Sequence, residues 1–431
     1  MSIEALLDRY LAECGRLGVH GEIRAVEQQR CEVVARNGTV ESEGLTTESV
    51  ISLTVSDGAR WAVLAGGTDV DPATMVAEGR ALLRSTSGQG GGRAVAAPAG
   101  PTTRAYPGRR VPVSGNVDRL RAASVLPGAR ECELRSTETA RVVYFSTPDG
   151  TRSYPTSHAS VVFRATRNGP DGEPVHVDRG DSGPDVGHLL DQLAEREVHE
   201  CSQELLAAEL PASAALPATV VISRHVAAQL LWLFAEALSG EAVVQRRSRL
   251  AGQLGQQVSA PVITICDDPC YPGGPRHLPI DDEGVAGERR VLIDHGQLRA
   301  FLGSRGYQFE GAQAGNARQP DAVVAPRPAA SNFLVHPGPA PIVADGPALL
   351  VTQTHGMHLS NPITGDFSAG GAGLVLDDGQ AWRVAGLTVA GNVFDVFKNT
   401  DEVGAQLCWV DDAESSFGSP DLRVSGLTIG R

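Results

Sequence analysis

Two histidines stand three residues apart in residues 354–358, a short run that also contains a glycine. His355 and His358 could bind a metal ion or face a substrate, because the neutral imidazole is a common zinc ligand. A catalytic zinc usually takes three protein ligands, and the sequence offers no third ligand near this pair. We therefore rank a structural loop first, the lining of a cleft second and a metal site third.

Two other groups of residues could do chemistry. Cys266 and Cys270 are separated by three residues, whereas zinc and redox motifs usually separate their cysteines by two. No second pair completes four ligands, so incidental thiols are predicted. The acidic run at 281–283 could hold a cation through oxygen ligands, but a solvated turn is the simpler interpretation.

Composition excludes several classes of function. No G-x-S-x-G, H-E-x-x-H or H-E-x-x-x-H string occurs, and Lys398 is too remote to complete a phosphate-binding loop. The net charge of −14 argues against binding of bare nucleic acid, which needs clustered basic residues. The sequence has no membrane-spanning apolar run and no secretory signal pattern. Its seven scattered cysteines favour a reducing cytoplasm, and its composition is typical of a GC-rich bacterial genome.

The first half of the chain reads as an α/β domain with an antiparallel sheet, assigned to residues 1–210. Helical spacing predicts helices over 3–18, 72–84 and 185–208. Alternating residues predict strands at 21–26, 31–36 and 50–55, with hairpin turns at Asn37-Gly38 and Asp57-Gly58. Residues 85–115 and 166–184 are polar, Gly- and Pro-rich breaks, the first of which is predicted to be a flexible linker.

The second half, residues 211–431, reads as a β-rich sandwich or barrel-like domain with one prominent helix, so the fold class is α+β. That helix is predicted over 224–238, with Ser223 as N-cap and Gly240 as the stop. Val226, Leu230, Phe234 and Leu238 form its apolar stripe. The best strand candidates are 262–265, 290–293, 348–352, 373–376 and 381–384.

Short runs in a fixed order give the second half a resemblance to the TldD/PmbA family. The sharpest run is NPITGDFS at 361–368. Each other run is weak alone; in order they are GQQV 255–258, DD 267–268, DDEG 281–284, VLI 291–293, GQL 296–298, FL 301–302, GNAR 315–318, PRP 326–328, SN 331–332, AGN 390–392, GSP 418–420 and VSGLTI 424–429.

The resemblance implies one of two subunit types. The catalytic type carries H-E-x-x-x-H on a helix plus a distant cysteine as zinc ligands, and the other type keeps the fold without them. Aligned on this sequence, the columns of the first histidine, the glutamate and the second histidine hold Trp232, Leu233 and Ala237. None can bind zinc or act as a base. His225 begins the same helix and is interpreted as an exposed or capping residue.

The resemblance also implies a function and a set of residues near the cleft. The non-catalytic type pairs with a TldD-like zinc metallopeptidase, so no cofactor is expected in this chain and zinc is expected in the partner. The substrate would be a peptide or a small amide-bearing molecule, with antibiotic or other natural-product biosynthesis as a setting. Residues assigned to the cleft lining are His355, His358, Asn316, Arg318 and Asp366.

Two alternatives to the partner subunit stay open. The chain could be a stand-alone hydrolase or transferase with a site rebuilt around His355 and His358. It could also be a regulator, such as the gyrase modulator after which the family was once named, although its acidic charge disfavours direct DNA binding.

Overall fold

A computed structural model describes residues 2–85, 116–169, 172–193, 197–412 and 414–431. The predicted linker at 85–115 therefore lies outside the described residues, apart from Ser85 at the end of a helix. The α+β class is confirmed, with one sheet in the first half and a β-rich second half. Within the described ranges, no helix combines the length and apolarity needed to cross a membrane.

The first half is built on one antiparallel sheet of long strands in the order β3-β2-β1-β4-β5-β6. The Asn37-Gly38 turn joins β1 to β2 as predicted, with positive φ at both residues (47° and 77°), which a tight hairpin turn requires. The strands are β1 His20–Arg36, β2 Thr39–Ser56, β3 Trp61–Gly66, β4 Glu131–Thr147, β5 Gly150–Asn168 and β6 Pro174–Gly183.

Five helices supply apolar residues to two cores on this sheet. Their bounds are α1 Ile3–Leu17, α2 Pro72–Ser85, α3 Val117–Ala123, α4 Val186–Gln192 and α5 Val198–Leu206. The single helix predicted over 185–208 is therefore described as two helices. The polar break predicted at 166–184 is wrong, because Val175 and Val177 alternate into the core and carry β6 through it.

The second half contains two larger sheets and two short strand pairs, and one of these sheets also takes β7 from residues just before the predicted boundary. All strands are numbered in chain order. The eight-stranded sheet comprises β7 Ala208–Glu209, β8 Thr219–Ile222, β17 Ala348–His355, β18 Asp366–Asp377, β19 Gln380–Asn392, β20 Thr400–Val403, β23 Leu422–Val424 and β24 Thr428–Gly430. The six-stranded sheet comprises β9 Ile265–Asp267, β10 Arg290–Asp294, β11 Gln297–Leu298, β16 Asn332–Val335, β21 Cys408–Asp411 and β22 Ser416–Ser419.

The short pairs are β12 Phe301–Leu302 with β13 Ala312–Gln313, and β14 Ala317–Arg318 with β15 Arg327–Pro328. The helices are α6 Arg224–Ala235, α7 Gly240–Val244 and α8 Val393–Lys398, with 3-10 turns at Glu236–Leu238 and Met357–Leu359. Four of the five predicted strands lie in β10, β17, β18 and β19, whereas the strand predicted at 262–265 begins only at its last residue. The boundary predicted at residue 210 stays a prediction.

The ends of α6 differ from the prediction in their chemistry. Ser223 occupies the N-cap position, but its hydroxyl donates to the carbonyl of Thr352 and does not cap the helix. The carboxylate of Asp421 caps the helix instead. It lies in a loop distant in sequence and accepts the Arg224 N–H at 2.6 Å. Gly240 begins α7 and does not stop α6, and a Cβ there would lie 2.7 Å from the carbonyl oxygen of Leu302.

Buried ion pairs join the first sheet to the second half, and they correct the prediction of a solvated acidic turn. Asp282 accepts from Arg24 of β1 at 2.8 Å, while Asp281 accepts three backbone N–H groups. Glu283 accepts the N–H of Arg305 at 2.6 Å, and the Arg305 guanidinium reaches Glu22 of β1. The acidic run is therefore a structural joint between the two halves.

Candidate functional site

One face of α6 borders two cavities. His225, Gln229, Trp232 and Glu236 recur at helical spacing along this face, away from the apolar stripe, whose members are all buried. His225 and Gln229 line a cavity of about 490 Å³, and Trp232 and Glu236 line another of about 250 Å³. The helix thus presents imidazole and amide groups to a cavity between the two halves. The indole of Trp232 and the carboxyl of Glu236, in the turn that follows the helix, face a cavity within the second half.

The three residues that the resemblance aligns with the zinc motif of the catalytic type are unsuited to a metal. The indole Nε1 of Trp232 donates to Asp412 at 3.2 Å, so this side chain is tied to the loop after β21. Leu233 and Ala237 are 1% and 3% exposed and belong to the apolar core. The residues present supply no oxygen, sulfur or imidazole nitrogen at these columns, so they do not fit zinc.

The larger cavity lies between β5 and β6 of the first sheet and α6, β17 and β21 of the second half. Asp411 at its edge lies 2.6 Å from Nε2 of His158 and accepts from the hydroxyls of Ser182 and Ser416 at 2.5 and 2.6 Å. Ser182 donates to the carboxylate and not to the imidazole, so His158 does not activate it as a nucleophile. Burial lowers the pKa of His158 despite this contact.

His225 is buried, which corrects its interpretation as an exposed residue. Its Nε2 lies 3.5 Å from Glu197, which also accepts from Arg224 at 2.5 Å. Burial alone would raise the pKa of Glu197, but the charges of His225 and Arg224 lower it to about 2. This network fixes the start of α6 against α5.

His355 and His358, which the sequence analysis treats as a pair, lie in different surroundings. His355 ends β17 and lines both the 490 Å³ cavity and a neighbouring groove of about 820 Å³. His358 lies in an exposed 3-10 turn and lines neither, and Asp366 is exposed and accepts from Asn392 at 2.7 Å. Across the described ranges, no three His, Cys, Asp or Glu side chains form a group able to hold a metal ion.

Two other residues assigned to the cleft are buried. Asn316 donates to Asp267 at 2.8 Å and accepts from Arg290 at 2.6 Å, so it bridges two loops. Arg318 lines a third cavity, of about 240 Å³, beneath the first sheet. Cys266 is buried and Cys270 exposed, and neither forms a disulfide.

Sequence reasoning missed Asp411, Asp412 and Gln229. The two aspartates form a lone acidic pair after Trp409-Val410, with no motif around them. Gln229 could have been found from its spacing, since it stands four residues after His225 on the polar side of the predicted helix.

The fold and its cavities define a class of protein, an α+β chain with a long antiparallel sheet packed on a β-rich half and with cavities of about 490 and 240 Å³ between them. Residues 217–431 match the model of the PmbA/TldA metallopeptidase C-terminal domain. The chain belongs to the TldD/PmbA family through this C-terminal domain.

Relatives and solved structures agree with this assignment. The chain is 30% identical over 186 residues to Metalloprotease PmbA homolog of Haemophilus influenzae, a match covering 42% of this chain and 39% of the relative. It is 26% identical over 230 residues to Metalloprotease PmbA of Escherichia coli O157:H7, covering 53% and 50%. The chain thus spans about half the length, or less, of these curated relatives.

Two solved structures share the fold across the whole chain. TldE from Thermococcus kodakarensis has a TM-score of 0.80 at 16% identity, covering 100% of this chain and 99% of that one. A Thermotoga maritima protein described as a candidate modulator of a DNA gyrase has a TM-score of 0.83 at 19% identity, covering 100% of both chains. At these identities the likeness is one of fold.

Proposed function

We propose that this chain is the non-catalytic subunit of a heterodimeric peptidase, paired with a TldD-like chain that carries the zinc ion. In this role it completes a cleft for a peptide or a small amide-bearing molecule, and natural-product biosynthesis is a setting that suits the latter. In this proposal the partner supplies the zinc ligands and the general base.

The single observation that carries the proposal is the side chain of Trp232. The resemblance aligns it with the first histidine of the catalytic type. It faces the 250 Å³ cavity, and its indole nitrogen donates to Asp412. Beside it, Leu233 and Ala237 are packed in the core. A helix with these side chains can stabilise the fold and line a cleft. The zinc ion that cleaves the substrate would then be bound by the other chain.

The surface beside this cavity supports a partner interface. Pro362 lines the cavity, and the same loop exposes Leu359 and Ile363 with 80% and 43% of their surface accessible. Exposed apolar side chains next to a polar cavity are typical of protein interfaces. We assign the loop at 356–365 to the face that meets the zinc-bearing chain.

Complex formation tests the proposal. The chain is mixed with a TldD-like chain of the same organism, and the assembly is measured by size-exclusion chromatography with light scattering. We expect a one-to-one complex, which Leu359→Arg weakens at least tenfold, while Val343→Arg, at an exposed valine outside this loop, leaves it intact. A chain that stays monomeric beside every TldD-like protein overturns the proposal.

A further inference from the structure

The third cavity, of about 240 Å³, lies between the inner face of the first sheet and the second half. Strand register builds its floor in rows. Gln28, Arg141 and Thr156 are aligned across β1, β4 and β5, and Val26, Val143 and Tyr154 form the next row. The proposed function uses none of these residues.

Four arginines line this cavity against two carboxylates. Arg24 and Arg141 come from the sheet, Arg276 and Arg318 from the second half, and the carboxylates are Asp282 and Glu414. Arg24 is paired with Asp282 at 2.8 Å. Arg276 donates to the Ser416 hydroxyl and the Asp412 carbonyl, both at 3.0 Å, and lies 3.8 Å from Asp411. With both lining carboxylates ionised, the four arginines leave two positive charges in excess.

Arg318 is a buried cation with unused donors. Its side chain is 2% exposed, and Nη1 donates to the carbonyl of Ala317 at 2.7 Å. Nε and Nη2 have no hydrogen-bond partner within the described part of the chain. The buried carboxylates of Asp267 and Asp281 attract this charge only at longer range. A buried guanidinium with two unpaired nitrogens is costly unless a ligand or water satisfies it.

Arg141 likewise has one hydrogen bond among the described residues, to Gln28 at 3.0 Å. Burial lowers the pKa of Arg141, and the charges of Arg276 and Arg24 lower it further. Burial likewise lowers the pKa of Arg276, although Asp411 and Glu414 offset part of the effect. These cations are crowded, and an added anion would stabilise them.

We propose that this cavity binds the carboxylate of a ligand that also has an apolar group. The arginines suit the anion, and the apolar walls, made by Val26, Val50, Val143, Leu278 and Pro320, suit an aliphatic side chain. A monoanion fits better than phosphate, because Asp282, and Glu414 when it is ionised, repel further negative charge.

The cavity also adjoins the 250 Å³ cavity, which the proposed function takes as part of the substrate cleft. Pro320 and Glu414 line both this cavity and the 250 Å³ cavity beside Trp232. A peptide in the cleft could thus place its C-terminal residue here. Only this identification of the ligand as a peptide rests on the proposed function, because carboxylate binding itself is a property of the isolated chain.

Calorimetric titration of the isolated full chain tests the inference with three probes: N-acetyl-Ala-Leu as the free acid, the same dipeptide as its C-terminal amide, and inorganic phosphate. We expect the free acid to bind at least tenfold more tightly than the amide or phosphate. Equal binding of acid and amide, or no binding of the acid, overturns the inference. Equal binding of phosphate overturns its preference for carboxylate.

Variants locate the site. Arg141→Gln should weaken binding of the acid about tenfold, since one charged hydrogen bond is lost. Arg135→Gln, on the same strand but with an exposed side chain, should leave it unchanged. An unaffected Arg141→Gln overturns the location, and if this variant does not fold, the comparison of acid and amide on the natural chain still decides. If the chain binds the carboxylate but forms no complex with a zinc-bearing partner, only the proposed function is contradicted. If it forms the complex but does not bind the carboxylate, only this inference is contradicted.

Discussion

The indole nitrogen of Trp232 donates to the carboxylate of Asp412 at 3.2 Å, linking the polar face of α6 to the loop that follows β21. In the catalytic members of the family, the resemblance places a zinc-binding histidine at this column. Here the same position stabilises the wall of a cavity. The contact gives Trp232 a structural role, and substitutions in this helix can test it.

Placing a glutamate at position 233, as the resemblance expects in the catalytic type, should destabilise the protein. Leu233→Glu should lower the free energy of unfolding by at least about 3 kcal/mol, because it buries a carboxylate with no partner in the apolar core. Leu233→Met, which conserves volume, should cost less than about 1.5 kcal/mol. Urea denaturation of both variants at pH 7 gives the comparison. Equal stability of the two would mean that this helix face can turn toward water.

The cap of α6 should depend on Asp421 more than on Ser223. Asp421→Ala removes the carboxylate that accepts the Arg224 N–H and should cost about 1–2 kcal/mol. Ser223→Ala removes only a 3.4 Å contact to a carbonyl and should cost less than about 0.5 kcal/mol. Thermal denaturation would show the order, and a larger loss for Ser223→Ala would contradict the assignment of the cap.

The joint between the two halves should depend on Arg305. Its guanidinium donates to both oxygens of Glu22 at 2.7 and 2.6 Å, with both side chains buried. Arg305→Ala leaves buried carboxylates uncompensated and should cost about 3–5 kcal/mol in denaturant unfolding. Arg299→Ala breaks an exposed 3.5 Å pair with Asp294 and should cost less than about 1 kcal/mol. Similar losses in the two variants would argue against a structural joint.

Ionisation of Glu414 should lower the stability of the protein as the pH rises toward neutrality. Burial, with repulsion from Asp282, raises the pKa of Glu414 from 4.5 to about 7. Between these values the folded chain binds more protons at this group than the unfolded chain, so its contribution to stability is present below pH 4.5 and is lost as pH rises through 7.

Glu414→Gln removes this titration. The urea midpoint of the variant should therefore change less between pH 5 and pH 8 than that of the natural chain. Identical pH profiles for the two proteins would contradict the raised pKa of Glu414.

Much of the fold could be predicted from local patterns. The Asn37-Gly38 turn, the helix at 3–18 and the apolar stripe of α6 follow from residue types with a direct local consequence. The polar run at 166–184 misled the prediction because only two valines mark its strand. Ser223 is predicted to cap α6 because a serine directly before a helix usually does so. The carboxylate that caps it belongs to Asp421, almost 200 residues away in sequence.

The candidate site was harder to predict, since its geometry depends on contacts distant in sequence. The columns at 232, 233 and 237 could be aligned through the resemblance, but the partner of Trp232 could not. The arginine-lined cavity combines strands of the first sheet with loops of the second half. Arg24 and Arg141 belong to no recognisable sequence motif. Their proximity to Arg276 and Arg318 therefore becomes apparent only in the folded structure.

The location of zinc and of peptide cleavage tests the central claim most directly. The chain, a TldD-like partner and their mixture are each analysed for bound zinc and for cleavage of a peptide. We predict about one zinc per complex, lost on mutating the partner's zinc motif and retained in His355→Ala/His358→Ala of this chain, with cleavage requiring the partner. About one tightly bound zinc in the isolated chain, with cleavage activity that disappears in the double variant, would contradict the account.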